Sequence, residues 1–139
     1  KSQKGNPFQD WCAAWILKNH PGSVVHNQKA VAKTIKMRDP RTGQLVDRWV
    51  SQRNDILGCI DVLWIDPAGR ITFVQCTMDS GVGRKLAELK KIPWDVTRCA
   101  VEVWVKRGVG RISIMRYTPG ETLFPIAVIL RGKYRAEAF

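Results

Sequence analysis

The sequence has few of the residues that bind metals through nitrogen or sulfur. Only two histidines occur, and no two of the four cysteines form a C-x-x-C pair. Each cysteine lies among apolar neighbours, which is typical of buried thiols in a reducing compartment. We therefore expect no zinc site, and we interpret His20 and His26 as structural or surface residues.

Long hydrophobic runs are also missing. No apolar run approaches the roughly 20 residues that a membrane-spanning helix needs. The sequence does not open with the charged and then apolar pattern of a secretory signal, and no long basic amphipathic helix indicates a membrane-surface role. We expect a soluble, intracellular, cytoplasmic protein with no membrane partner.

Acidic residues are scarce relative to basic ones. The 139 residues include 23 Lys and Arg against 12 Asp and Glu, which gives a formal net charge of +11. Such a charge attracts polyanions, of which nucleic acid is the commonest; the alternative is a charge that serves solubility alone. The candidate DNA-contacting residues form two basic segments, the first with Lys29, Lys33, Lys36, Arg38 and Arg41 and the second with Arg84, Lys85, Lys90 and Lys91.

We expect one domain over residues 1–139, because a chain of this length with 45% hydrophobic residues can bury one sizeable core. Apolar residues at helical spacing after "NPFQ" and before "NHPG" predict a first helix, in which Gln9 completes a capping box with Asn6. Residues 83–91 predict a second helix, which ends before Pro93. The order of helices and strands predicts an α/β fold with a mixed central β-sheet flanked by helices.

Strands are predicted from alternating or continuous apolar residues. They cover residues 24–25, 34–37, 45–50, 60–65, 71–77, 100–106 and 111–117. "DPAG" (residues 66–69) predicts a turn that closes a hairpin, and "RDPRTGQ" (residues 38–44) predicts a basic hairpin tip that contacts a partner. Residues 118–139 contain one more apolar run, 126–130, and their structure is not predicted.

A carboxylate stands inside the apolar run "CIDVLWI". Asp61 there needs a partner, because burying an unpaired carboxylate is costly. Asp55 lies before a glycine turn, and Gln75 lies on the adjoining strand of the predicted hairpin, so the three can meet at one edge of the sheet. Two carboxylates and an amide oxygen suit Mg²⁺ or Mn²⁺. The alternative is that Asp61 and Gln75 pair with the backbone, with Arg53 or with Arg84.

A resemblance supports the metal-site interpretation. "DILGCIDVLWIDPAGRITFVQCT" (residues 55–77), followed by "GRKLAELKKI" (residues 83–92), resembles the core of the PD-(D/E)XK superfamily, the restriction-endonuclease-like nucleases that include Holliday-junction resolvases. In that family an acidic residue begins one core strand, and a second strand carries an acidic or amide residue and, two positions later, usually a lysine. Asp61 matches the first position and Gln75 the second.

The resemblance extends over residues 4–117. "KGNPFQDWCAAWILKN" (residues 4–19) is similar to the Lys-Gly and first helix of archaeal-type resolvases, and the Gln-x-Thr strand is similar to that of small phage and bacterial proteins of this fold. The sequence departs from the family in two places. Thr77 stands where the lysine usually lies, and Gln9 or Asp10 stands where the first helix often carries glutamate.

The resemblance implies a metal-dependent DNA endonuclease that hydrolyses phosphodiester bonds, with branched DNA such as Holliday junctions as the more specific substrate. Its implied catalytic residues are Asp61, Gln75, Thr77 and Asp55, and the implied Mg²⁺ or Mn²⁺ ligands are Asp61, Gln75 and Asp55. The family's lysine stabilises phosphate charge, and Arg84 or Lys85 is a candidate to replace it. A homodimer and a bacterial or phage-infected host cell are implied too. The alternatives are a non-catalytic nucleic-acid-binding module that retains the fold, and an interaction subunit that uses Trp-rich surfaces.

Overall fold

Up to residue 117 the helices and strands follow the order that the periodicity of the sequence predicts. A computed structural model describes residues 7–28, 31–52, 57–118, 120 and 122–137. Within these ranges the elements are α1 (Pro7–Asn19), β1 (Val24–Asn27), β2 (Val31–Arg38), β3 (Leu45–Gln52), β4 (Val62–Ile65), β5 (Ile71–Met78), a 3₁₀ turn (Asp79–Gly81), α2 (Val82–Leu89), β6 (Cys99–Gly108), β7 (Arg111–Tyr117), β8 (Leu123–Leu130) and β9 (Lys133–Ala136).

Seven strands form one mixed sheet in the order β1-β4-β5-β6-β7-β8-β9. Strands β5 and β6 run parallel and are connected through α2, whereas the other neighbouring pairs are antiparallel. Parallel neighbours need such a crossover, because their joined ends lie at opposite edges of the sheet. The C-terminal ends of β5 and β6 therefore lie at the same edge, which is where the candidate site is found.

Strands β2 and β3 form a two-stranded sheet of their own. They are antiparallel and paired along their full length, from Val31 opposite Gln52 to Arg38 opposite Leu45. The connecting turn contains Gly43 at a positive φ of 72°, a conformation that glycine adopts without strain. This confirms the predicted basic hairpin tip, and it makes the hairpin an arm distinct from the main sheet.

Each face of the main sheet carries one hydrophobic cluster. On one face α1 packs through Cys12, Trp15 and Ile16 against a cluster that includes Val74, Cys76 and Trp104. On the other face α2 packs through Leu89 against a cluster that includes Val101, Val103 and Val105. Successive strand residues point to opposite faces, so along β5 the residues Gln75 and Thr77 lie on the α2 face.

The described elements confirm a mixed α/β fold with a large sheet and two helices. The hairpin β4–β5 is closed by the predicted turn, in which the Asp66 carboxylate accepts hydrogen bonds from the backbone of Ala68 (3.0 Å) and Arg70 (2.9 Å). Asn6, the expected capping residue, lies outside the described residues. Strands β8 and β9, which the sequence left without a prediction, extend the sheet from β7.

Candidate functional site

The backbone and side chain of Asp61 are both bonded to β5. Asp61 lies immediately before β4, and its N–H donates to the Val74 carbonyl at 3.0 Å. Its carboxylate Oδ2 accepts a hydrogen bond of 2.8 Å from the Cys76 N–H. These two bonds lie on either side of Gln75, so they fix the carboxylate beside that residue. With 5% of Asp61 exposed, the expectation of a buried carboxylate is confirmed, and one of its oxygens is bonded to backbone, as the alternative interpretation held.

Gln75 is completely buried and has one satisfied and one unsatisfied end. Its amide Nε2 donates to the Cys59 carbonyl at 2.8 Å and to Glu88 Oε2 at 3.2 Å. Among the described residues its carbonyl Oε1 has no hydrogen-bond partner. Turning the amide over would face its oxygen toward two acceptors, so the network itself fixes the orientation. A buried acceptor without a partner is uncommon in folded proteins, and such an oxygen can accept an ion or a water.

Helix α2 adds a lysine and a glutamate to this buried group. Lys85 is only 6% exposed, and its Nζ lies 4.0 Å from Glu88 Oε2. Because Glu88 Oε2 also accepts the bond from Gln75, the three side chains form one connected cluster on the α2 face of the sheet. Of the two candidates for the missing family lysine, Lys85 points into the site and Arg84 is exposed.

Thr77 is buried and carries no charge. Its Oγ1 donates to the Met78 carbonyl at 3.1 Å, and Gly81 packs so closely that a Cβ added to this glycine would overlap the Thr77 hydroxyl. The position that carries lysine in the resembled family is therefore closed off by the turn between β5 and α2.

Helix α1 contacts the site through Gln9. This buried side chain donates from Nε2 to the Asp61 carbonyl at 3.1 Å, to Asn27 Oδ1 at 2.7 Å and to the Gln28 carbonyl. Asn27 in turn donates to Asp10 Oδ1 at 2.9 Å. Gln9 thus joins α1, β1 and the segment before β4, which is a role beyond the helix cap that the sequence predicted.

The cysteine nearest the site is held as a neutral thiol. A hydrogen bond with the Cys12 thiol, burial and the nearby Asp61 carboxylate raise the pKa of Cys76 well above its ordinary value, and the Lys85 ammonium lowers it. A thiol kept protonated is a poor nucleophile and a poor metal ligand. Cys76 is therefore a packing residue. Cys12, Cys59 and Cys76 are buried, as expected, whereas Cys99 is only partly buried.

The other residues proposed from the sequence lie on the arm, after α2 or outside the described residues. Asp55, Lys29 and Arg53 lie outside the described residues, and only the backbone of Lys33 is described. Lys36, Arg38 and Arg41 are exposed on the β2–β3 arm, and Lys90 and Lys91 are exposed after α2.

Glu88 is the site residue that sequence reasoning missed. The apolar residues Val82, Leu86 and Leu89 mark the buried face of α2, and Lys85 lies on that face because residues three and four apart are neighbours on a helix. The same spacing places Glu88 next to Lys85. The helical pattern therefore contained a signal for the Lys85–Glu88 pair.

Comparisons of the chain with models of protein families, with curated proteins and with solved structures gave no match. No helix in the described ranges is long and apolar enough to cross a membrane. In the same ranges no three His, Cys, Asp or Glu side chains form a group that could hold a metal ion.

Proposed function

We propose that the chain is a metal-dependent DNA endonuclease of restriction-endonuclease-like fold, with Asp61 and Gln75 as ligands for Mg²⁺ or Mn²⁺. The observation that supports this most is the buried Gln75 Oε1, which has no hydrogen-bond partner among the described residues. Gln75 stands between Val74 and Cys76, the two residues of β5 to which the buried Asp61 is bonded. A carboxylate oxygen and an amide oxygen are the donors that hard cations prefer.

The residues present fit such a cation as a partial ligand set. Mg²⁺ usually keeps several waters and takes one or two carboxylates together with phosphate oxygens of the substrate. Two protein oxygens, from Asp61 and Gln75, are compatible with that habit. Asp55, the third proposed ligand, belongs to the same proposal. The cation, when bound, would supply Lewis-acid polarisation of the scissile phosphate.

The other residues of the cluster orient these ligands and supply charge. Glu88 accepts from Gln75 Nε2 and so holds the Gln75 carbonyl away from α2. Gln9 bonds the Asp61 carbonyl and fixes the backbone that carries the carboxylate. Lys85 supplies the positive charge that the resembled family places at the position of Thr77, and such a preorganised cation stabilises charge that develops on phosphate.

The substrate class follows from the surface charge. The net charge of +11 favours a polyanion, and the exposed cations of the β2–β3 arm can neutralise phosphates away from the site. Branched DNA and a homodimer belong to the same proposal, and sedimentation of the protein with a four-way junction tests both together.

Cleavage assays with matched variants test the proposal. With Mg²⁺ or Mn²⁺ the wild type should cut plain duplex, flapped or four-way DNA, and Asp61→Ala should stop cleavage while DNA is still bound. Lys85→Gln should slow cleavage by about a hundredfold or more, the usual cost of losing one charge-stabilising group. Arg84→Gln removes an exposed charge from the same helix and should retain cleavage.

One observation favours a second function, a nucleic-acid-binding module without catalysis. Thr77 is uncharged and closed off by Gly81, and Lys85 is already paired with Glu88. If no substrate is cut by the wild type with either cation, and all variants bind DNA equally, the nuclease proposal is wrong and the binding module replaces it.

A further inference from the structure

A cavity of about 530 Å³ opens beside the start of α1, on the face of the sheet opposite α2. Its apolar walls are Phe8 and Trp11 from α1, and its floor is formed by the buried residues Ile112 and Ile129. Trp11 is 38% exposed although most tryptophans of compact domains are well buried. The indole therefore lies at an opening large enough for a ligand with a planar ring, since such clefts typically measure about 300–1,000 Å³.

The charge around the cavity is of one sign. Lys106 and Arg131 line it and are exposed, and no acidic side chain belongs to its described lining. Pro7, the first residue of α1, lines it too, so the positive end of the helix dipole faces the same space. A ligand that suits this site has an apolar, planar body and a negative charge.

Arg131 adds an independent observation. It is a non-glycine residue with a positive φ of 48°, in the two-residue turn between β8 and β9. Its N–H donates to the Gly110 carbonyl at 2.7 Å, which fixes this turn against the turn between β6 and β7. Asparagine or glycine would adopt this conformation at lower cost. A strained arginine at the rim of a cavity points to selection for its charge.

The cavity lies at the same end of the sheet as the Asp61–Gln75 site. Lys106 on β6 is in register with Met78 on β5, the residue after Thr77. Gln9, which bonds the Asp61 carbonyl, directly follows Phe8 in α1. A strand whose phosphate lies at the site can therefore continue around this edge toward the cavity.

We propose that this cavity binds one unpaired nucleotide of a nucleic-acid strand. The base stacks on Trp11 above the apolar floor, and Lys106 and Arg131 contact the adjoining phosphate. Aromatic stacking combined with cations is the general means of holding single strands. This inference rests on the proposed function. Together the two specify the substrate as a DNA with a single-stranded segment next to the cleaved bond.

Binding measurements separate this inference from the nuclease proposal, because they need no cleavage. Fluorescence anisotropy is measured without metal for a labelled thymidine strand of about 12 nucleotides, for an abasic strand of the same length and for a blunt duplex. Trp11→Ala should weaken binding of the thymidine strand by about tenfold, as loss of one stacked base does. It should leave the abasic strand and the duplex unchanged, and Trp11→Phe should retain most of the affinity.

Matched controls come from the same helix. Leu17→Ala truncates another exposed apolar residue of α1 and should not change the affinity of any strand. Lys106→Gln together with Arg131→Gln should weaken both single strands, whereas Lys18→Gln should not. Circular dichroism of each variant verifies that the loss is not due to unfolding.

Three results would overturn the inference. Equal losses for the thymidine strand and the duplex would make Trp11 a general contact, and an unchanged affinity in Trp11→Ala would remove the stacking site. A dimeric wild type that becomes monomeric in Trp11→Ala would mean that a second copy of the chain occupies the cavity. If instead the thymidine strand depends on Trp11 while no substrate is ever cut, the cavity assignment stands and the nuclease proposal fails alone.

Discussion

Among the residues of the candidate site, Gln75 is the one whose environment most clearly indicates a bound group. Its position on β5 is fully buried, where an apolar side chain would normally lie, and its amide nitrogen is bonded twice. Leaving its buried carbonyl without a partner costs about 1–3 kcal/mol. A group that stabilises this oxygen would recover that free energy, and the proposed cation, shared with Asp61, would do so as a hard acceptor of oxygen ligands.

Changing Gln75 to Glu tests this reasoning. Gln75→Glu would add a buried carboxylate next to Asp61 and Glu88, so we expect a lower Tm than wild type when chelator is present. Millimolar Mn²⁺ should raise the Tm of this variant more than that of wild type, because a ligand that binds only the native state stabilises it. Gln75→Leu, the control, should show no shift with Mn²⁺. Equal shifts in all three proteins, measured by thermal unfolding, would contradict the cation site.

The raised pKa of Cys76 predicts a loss of stability in alkali. Above about pH 9 the thiol of the unfolded chain loses its proton, whereas the buried thiol keeps it. The unfolded state then binds fewer protons than the native state, so the free energy of unfolding falls as pH rises, by up to about 1.4 kcal/mol per pH unit for one group.

Cys76→Ala should be less stable at neutral pH because of the space it leaves, and its stability should decline less steeply above pH 9. Urea unfolding of both proteins at several pH values between neutrality and about pH 10 measures the difference. Cys99→Ala is the comparison: burial and the Asp95 carboxylate raise the pKa of Cys99 too, but this thiol is only partly buried, so its removal should change the slope less than removal of Cys76. Parallel profiles for wild type and Cys76→Ala would contradict the assignment.

At the scale of elements, the sequence predicted the helices and turns that depend on interactions between neighbouring residues. The periodicity of α1 and the turn residues of the β4–β5 hairpin are set within a few neighbouring residues, and both elements are present where the sequence placed them. Strand β8 was not predicted: the sequence indicated only the apolar run 126–130, and Pro125 lies inside the strand. The structure accommodates this proline with a register shift opposite Ile114 and Met115, which is where proline is tolerated in sheets.

The candidate site, too, was predictable only where its residues stand out in the local sequence. The sequence indicated Asp61 because a carboxylate buried in an apolar run destabilises the fold unless it has a partner. The resemblance offered Gln9 as a site residue of the first helix, but its bonds to Asp61 and Gln28 were not predicted, since they depend on how α1 packs against the sheet. Strand β9 consists of exposed residues and is held by pairing with β8. Its own sequence therefore has no apolar pattern that would predict a strand.

In the turn between β8 and β9, we expect the residue that is best for stability to differ from the residue that is best for nucleic-acid binding. Arg131 and Gly132 both have positive φ, which is the turn type that prefers Asn-Gly. Arg131→Asn should therefore raise the free energy of unfolding by about 0.5–1 kcal/mol and weaken binding of the thymidine strand. Urea unfolding and anisotropy of the same preparation measure both. A variant that is less stable, or that binds as tightly as wild type, would remove the functional reason for this arginine.

At the scale of the whole molecule, exposed and buried positive charges occur in three separate places. The β2–β3 arm carries Lys36, Arg38 and Arg41 outside the main sheet. The cavity carries Lys106 and Arg131, and the site carries the buried Lys85. Under the proposed function the arm would determine the affinity for duplex DNA, and the buried site would carry out the chemistry.

Salt dependence distinguishes phosphate contacts on the arm from general attraction to a basic protein. If each of the three arm cations neutralises one phosphate, changing all three to Gln should reduce the slope of log affinity against log salt by about 2.7. The control replaces Lys18, Arg98 and Arg135, which are equally exposed and lie elsewhere; it lowers the net charge by the same amount. Anisotropy with a blunt duplex over a range of salt concentrations gives both slopes. An arm variant and a control variant with equal slopes would show that only the net charge matters, and the arm would lose its assigned role.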